Sequence, residues 1–155
     1  HAASKRRDEA RMLVELARKV ARSSAADASA SLPVVVAGDL NTLSPLDDHA
    51  PRLLEVLARD ARLRAKFLLP SGLNNRAAPP AIDYAPMRIL LADLVDAAFF
   101  NAHADAASTP PHSTVPTALH VDKLHAAPMR LDYVLLNAAA VARLVGPDGR
   151  AIHVR

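Results

Sequence analysis

Leu32-Pro33-Val34-Val35-Val36-Ala37-Gly38-Asp39-Leu40-Asn41-Thr42 is the stretch that decides the fold. Its apolar half is β-branched and too short for a buried helix, so it reads as a buried strand. Gly38 permits a sharp exit, and the strand ends by presenting a carboxylate and a carboxamide two residues apart, on one side. The C-terminal end of a strand is where open α/β sheets place ligand-contacting groups. The plainer alternative is turn chemistry, with Asp39 or Asn41 hydrogen-bonding the local backbone.

Working outward, Ala10, Leu13, Val14, Ala17, Val20 and Ala21 recur at helical spacing, and an amphipathic helix is expected over Ser4 to Arg22. Beyond the strand, Leu53, Leu54, Leu57 and Ala61 keep the 3.6 period of one helix with Pro51 near its first turn. Residues 70–86 read as a turn-rich loop, and Pro86 opens a helix carrying Met87, Leu90, Leu91 and Leu94. Residues 104–128 are aperiodic and Pro-rich and read as a long ordered or functional loop rather than a linker. Met129 to Leu136 reads as a second strand, followed by a short helix over Ala138 to Leu144, a Pro147-Asp148-Gly149 turn and a last strand at residues 151–154. Helices alternating with strands make the chain α/β.

The chain has 155 residues, which is one domain's length at about 150 residues per domain. It is 51% hydrophobic and 23% charged, which excludes wholesale disorder. Nineteen basic against sixteen acidic residues leave a net charge of +3, too small a field to argue for nucleic-acid binding. With no cysteine, disulfides, thiolate metal sites and cysteine nucleophiles are excluded. No apolar run approaches the roughly 18 residues of a membrane span. Localisation is left open.

The second informative segment is Pro128-Met129-Arg130-Leu131-Asp132-Tyr133-Val134-Leu135-Leu136-Asn137. Asp is depleted in strands, so Asp132 needs a reason: an internal pair with Arg130 on a shared face, or a carboxylate that orients a catalytic imidazole. His103, His112, His120 and His125 lack the short paired spacing of zinc sites and read as solvated loop residues. Lys5-Arg6-Arg7 offers a phosphate-contacting patch, but three basic residues at a helix start ordinarily form a solvated face. Phe99 and Phe100 are expected in the core.

Gly38-Asp39-Leu40-Asn41 and Arg130-Leu131-Asp132-Tyr133-Val134-Leu135 resemble the G-D-x-N and R-[IL]-D-Y-[IVF]-L motifs of the endonuclease/exonuclease/phosphatase superfamily of metal-dependent phosphoesterases. His1 with the basic helix after it is similar to the family's T-H-x segment. Val95-Asp96-Ala97-Ala98-Phe99 is similar to L-x-D-A-[FW], and Thr114-Val115-Pro116-Thr117 falls where members read T-[YF]-x-T. The resemblance implies a four-layered α/β sandwich, two packed mixed β-sheets flanked by helices. This chain is expected to hold the second half of it, as a partial domain without the N-terminal half and the closing S-D-H segment.

By the same resemblance, Asp39 binds metal and orients or deprotonates the attacking water, and Asn41 contacts the scissile phosphate. Asp132 aligns a His supplied by S-D-H, and His1 is a second catalytic imidazole. Thr117 and His125 are substrate-side loop groups. The implied activity is Mg²⁺-dependent hydrolysis of a phosphate ester, with Mn²⁺ as a substitute ion, by in-line attack of water, expressed only in a complete domain. The isolated chain is expected to be inactive. Nucleic acid, inositol phosphate and phospholipid headgroups are not distinguished, although an aromatic content of 3% with no Trp argues against base stacking. A non-catalytic module binding a phospho-ligand or protein is the alternative, and a complementary half-domain is an expected partner for uncovered apolar faces.

Overall fold

A computed structural model describes residues 2–22, 31–49, 52–69, 79–98, 113–115 and 128–145. The N-terminal amphipathic pattern forms α1 (Ala2–Arg22), which buries Ala10, Val14, Ala17 and Ala21 along one side. Val20, expected on that side, is instead exposed. The valine run forms β1 (Val35–Asp39).

The apolar period after residue 52 does not make one helix. Asp60 leaves the helical region at φ −95°, ψ 127°, separating α2 (Leu53–Arg59) from α3 (Ala61–Phe67). Its carboxylate accepts hydrogen bonds from the backbone N–H groups of Arg62 (2.7 Å) and Leu63 (2.9 Å), restarting the helix. The continuous helix expected from Leu53, Leu54, Leu57 and Ala61 is therefore two, because a capping side chain outcompetes the helical backbone at one position.

Pro86 lies in the first turn of α4 (Ala85–Leu91), which leads into the two-residue β2 (Val95–Asp96). Then come β3 (Asp132–Leu136) and α5 (Ala138–Leu144), with Asn137 as its cap. Among the described residues the strands form one antiparallel sheet in the order β1-β3-β2. An α/β chain with a three-stranded sheet is thus established. The expected turn at 147–149, the strand at 151–154, and Phe99 and Phe100 lie outside the described residues.

Tyr133 and Leu135 of β3, with Val36 of β1, pack against Ala10 and Val14 of α1 and Met87 and Leu90 of α4. A second cluster joins Leu53, Leu57, Leu63 and Phe67 of α2 and α3 to Leu43, Met129 and Leu131. Burying each such side chain is worth about 1.5–3 kcal/mol.

The opposite face of the sheet is only partly covered: Leu136 is buried there, but Val35 is 60% exposed, Val134 44% and Val95 39%. β1 was expected to be a buried strand; it is covered on one face only. The ladder is antiparallel, and among the described residues α1 and α4 pack on one side of it, so alternation sends every second valine outward.

Candidate functional site

The strand end that carries the first motif is held by backbone geometry that few residues tolerate. Gly38 sits at φ +144° and Asn41 at φ +48°. A Cβ at Gly38 would meet nothing, so the glycine is needed for its dihedral and not for space. Asn41 takes the left-handed conformation that asparagine accepts more readily than most side chains. Its N–H donates to Asp39 Oδ1 at 2.8 Å, so the turn chemistry weighed above is present.

In the β1–β3 register, Asp39 lies directly opposite Asp132. Both side chains are exposed. Like charges facing each other across a ladder are unfavourable by about 0.2–1 kcal/mol, and no fold requirement calls for them. Thr114, from the segment matching T-[YF]-x-T, sits beside the pair: its hydroxyl oxygen accepts from the N–H groups of Leu131 (3.0 Å) and Asp132 (3.2 Å). An antiparallel bridge between Val115 and Met129 holds that segment in place.

Two cations that sequence reasoning set aside or missed stand next to this strand end. Lys66 Nζ on α3 donates to Asn41 Oδ1. An ammonium has only hydrogens to give, so it fixes the carboxamide with its oxygen toward Lys66 and leaves Nδ2 as the outward donor. Burial holds the Lys66 pKa below the ordinary lysine value, the charge of Asp39 opposes that, and the charge of Arg6 reinforces it.

Arg6, on α1, is half-buried, and with Glu9, Ala10, Asp39, Leu40 and Thr42 it lines a cavity of about 190 Å³. Its Nε and Nη1 are covered from solvent and make no hydrogen bond among the described residues. A covered, unmatched donor costs about 1–3 kcal/mol. Burial also lowers the Arg6 pKa, with Asp83 pulling the other way. The solvated face expected of Lys5-Arg6-Arg7 therefore holds for Lys5 alone, since Arg7 pairs with buried Asp83 at 3.0 Å. Unabsorbed basic residues facing an apolar helix surface were the available signal.

The second motif divides between two tasks. Arg130 and Asp132 were expected on one face of a strand from Met129; β3 begins only at Asp132, so alternation does not reach Arg130. Arg130 is 6% exposed and pairs with Asp47 at 2.8 Å and, through two nitrogens, with Asp96, which is 1% exposed. Burial pulls the Arg130 pKa down, but the hydrogen bond with Asp96 and the charge of Asp47 outweigh it, and the net shift is upward.

The Tyr133 hydroxyl has three oxygens in reach, Arg130 O (2.8 Å), Asp47 Oδ2 (3.1 Å) and Thr42 O (3.2 Å). Burial, followed by the charge of Asp47, raises its pKa far above the ordinary phenol range. Asp96 was legible as a charge interrupting an apolar run; Asp47 gave no signal in a polar stretch.

Of the expected site residues, Asp39, Asn41 and Asp132 are brought together; His1, Thr117 and His125 lie outside the described residues, as do His103, His112 and His120. Among the described residues no group of three or more His, Asp or Glu side chains converges. No helix among them is long and apolar enough to cross a membrane. Comparison with known proteins finds no matching family model, curated protein or solved structure.

Proposed function

We propose that this strand end belongs to a Mg²⁺-dependent phosphoesterase, in which a water attacks a phosphate ester in line with Asp39, Asn41 and Asp132 around it. The single observation that carries the reading is the register that sets Asp39 opposite Asp132 on an exposed sheet end. Mg²⁺ is commonly held by one or two carboxylates together with substrate phosphate oxygens, and Asp39 would supply one oxygen donor of that hardness. When bound, the ion neutralises charge on the phosphoryl oxygens.

The chain's own groups do the rest. Asp39 accepts a proton from, or aligns, the attacking water. Asn41, its oxygen held by Lys66, donates Nδ2–H to a phosphoryl oxygen. Asp132 orients an imidazolium by accepting one of its N–H groups and stabilises its charge, and the ring's other N–H gives its proton to the leaving oxygen. No S-D-H sequence occurs in the 155 residues, so hydrolysis is assigned to a domain that also carries that imidazole. The exposed Val35, Val134 and Val95 on one face support a second sheet packed there, completing a four-layered sandwich.

The test is Mg²⁺-dependent hydrolysis of simple phosphate esters by the protein as its cells make it, against the same protein carrying Asp39→Ala. A loss of about 100-fold or more is expected for removal of the group that handles the water's proton. Unchanged turnover overturns the assignment. Phosphate binding without hydrolysis in the unaltered protein selects the non-catalytic module instead.

A further inference from the structure

Arg6 and Lys66 are contributed by different helices, yet both reach one aromatic ring. Arg6 Cζ lies 5.9 Å and Lys66 Nζ 4.9 Å from the centroid of Phe67. Neither has an ion-pair partner within salt-bridge distance among the described residues. The acidic groups nearest Arg6 are already matched by other cations, Asp83 by Arg7 at 3.0 Å and Glu9 by Lys5 at 3.6 Å. Two cations without a direct ion pair thus share one ring, each desolvated in part and offset only at a distance, Lys66 by Asp39 and Arg6 by Asp83 and Glu9, beside a cavity that Arg6, Glu9 and Asp39 line.

Holding two like charges in that position is unfavourable without an anion. The geometry of the donors says which anion. A guanidinium with unspent donors forms a planar fork that suits tetrahedral oxyanions, and the ammonium keeps two hydrogens beyond the one given to Asn41. A dianion, with its higher charge, is drawn more strongly to the two cations than a singly charged diester.

We infer that Arg6 and Lys66 form a clasp for a doubly charged phosphate group beside Asp39 and Asn41, which makes phosphomonoesters the substrate class of this site. For the ester the inference rests on the phosphoesterase reading; for the anion it rests on the two cations alone.

The experiment is a titration of the isotope-labelled full chain, followed by NMR, with inorganic phosphate and separately with dimethyl phosphate at pH 8 and constant ionic strength. Inorganic phosphate, a dianion there, is expected to bind about tenfold or more tightly than the monoanionic diester. Arg6→Gln and Lys66→Gln are each expected to weaken phosphate binding by about tenfold, the loss of one charge-assisted hydrogen bond. Lys5→Gln, one residue from Arg6 but exposed, is expected to change nothing. The two variants alter separate helices, and Arg6→Lys, which keeps charge without the fork, guards against a loss caused by loosening of α1.

Failure of phosphate to bind, equal affinity for the two anions, or an equal loss with Lys5→Gln overturns the clasp. Asp39→Asn separates the two readings. A protein that never hydrolyses esters but binds phosphate, with or without Asp39→Asn, removes the phosphoesterase reading and leaves the clasp. Hydrolysis abolished by Asp39→Asn without any preference for the dianion does the reverse.

Discussion

Two carboxylate clusters around the sheet are built on opposite principles. Asp47 and Asp96 are buried and converge on Arg130, with Tyr133 closing the cluster. Asp39 and Asp132 are exposed and face each other with no cation between them. Adjacent residues of one motif feed both: Arg130 and Tyr133 serve the buried cluster and Asp132 the open one. A buried charge persists only when matched, so the first cluster specifies the fold. An exposed pair of like charges adds nothing to the fold, so the second marks the place where we propose that a ligand acts.

Removing Arg130 breaks the comparison hardest. Arg130→Met leaves two buried carboxylates facing each other, and chemical denaturation should record a loss of about 3–5 kcal/mol, the cost of breaking a buried pair from one side. A loss under about 1 kcal/mol would mean that solvent reaches the cluster. Next in size is Asn137, whose side chain accepts from the N–H groups of Val34 and Ala140 and donates to Leu32 O. Asn137→Ala removes a cap and a strand tie at once, for about 1–2 kcal/mol by the same measurement.

Asp132→Asn should act in the opposite direction. It relieves the like-charge contact, leaving stability unchanged or raised by about 0.2–1 kcal/mol while ester hydrolysis falls. A clear destabilisation would move Asp132 into the structural cluster.

The smallest effect is confined to the acid limb. Asp60's pKa is held below its ordinary value of 3.8 by the N–H groups of Leu63 and Arg62. Its stabilising contribution is therefore complete above about pH 3.8 and is lost as pH falls through the lower folded value. Asp60→Ser keeps an N-cap but carries no charge, so the urea midpoint of that variant should depend less on pH in this window.

Much was legible in advance. α1, β1, α4 and α5 follow from apolar period, β-branching and proline placement, because those signals act over a few neighbouring residues. Asp39, Asn41 and Asp132 stood out for the same reason: charged and amide groups at the ends of apolar strands are locally out of place. The break at Asp60 was missed because a period averages over residues that a single side chain can divert.

What the amino-acid sequence determined by itself is the set of elements and the residues at odds with them. Tertiary structure alone decided their company. Register is a property of paired strands, so only the fold set Asp39 against Asp132. Burial depends on what packs above a residue, so only the fold turned Arg130 inward to Asp47 and Asp96 and left Arg6 and Lys66 around Phe67 without direct ion-pair partners among the described residues.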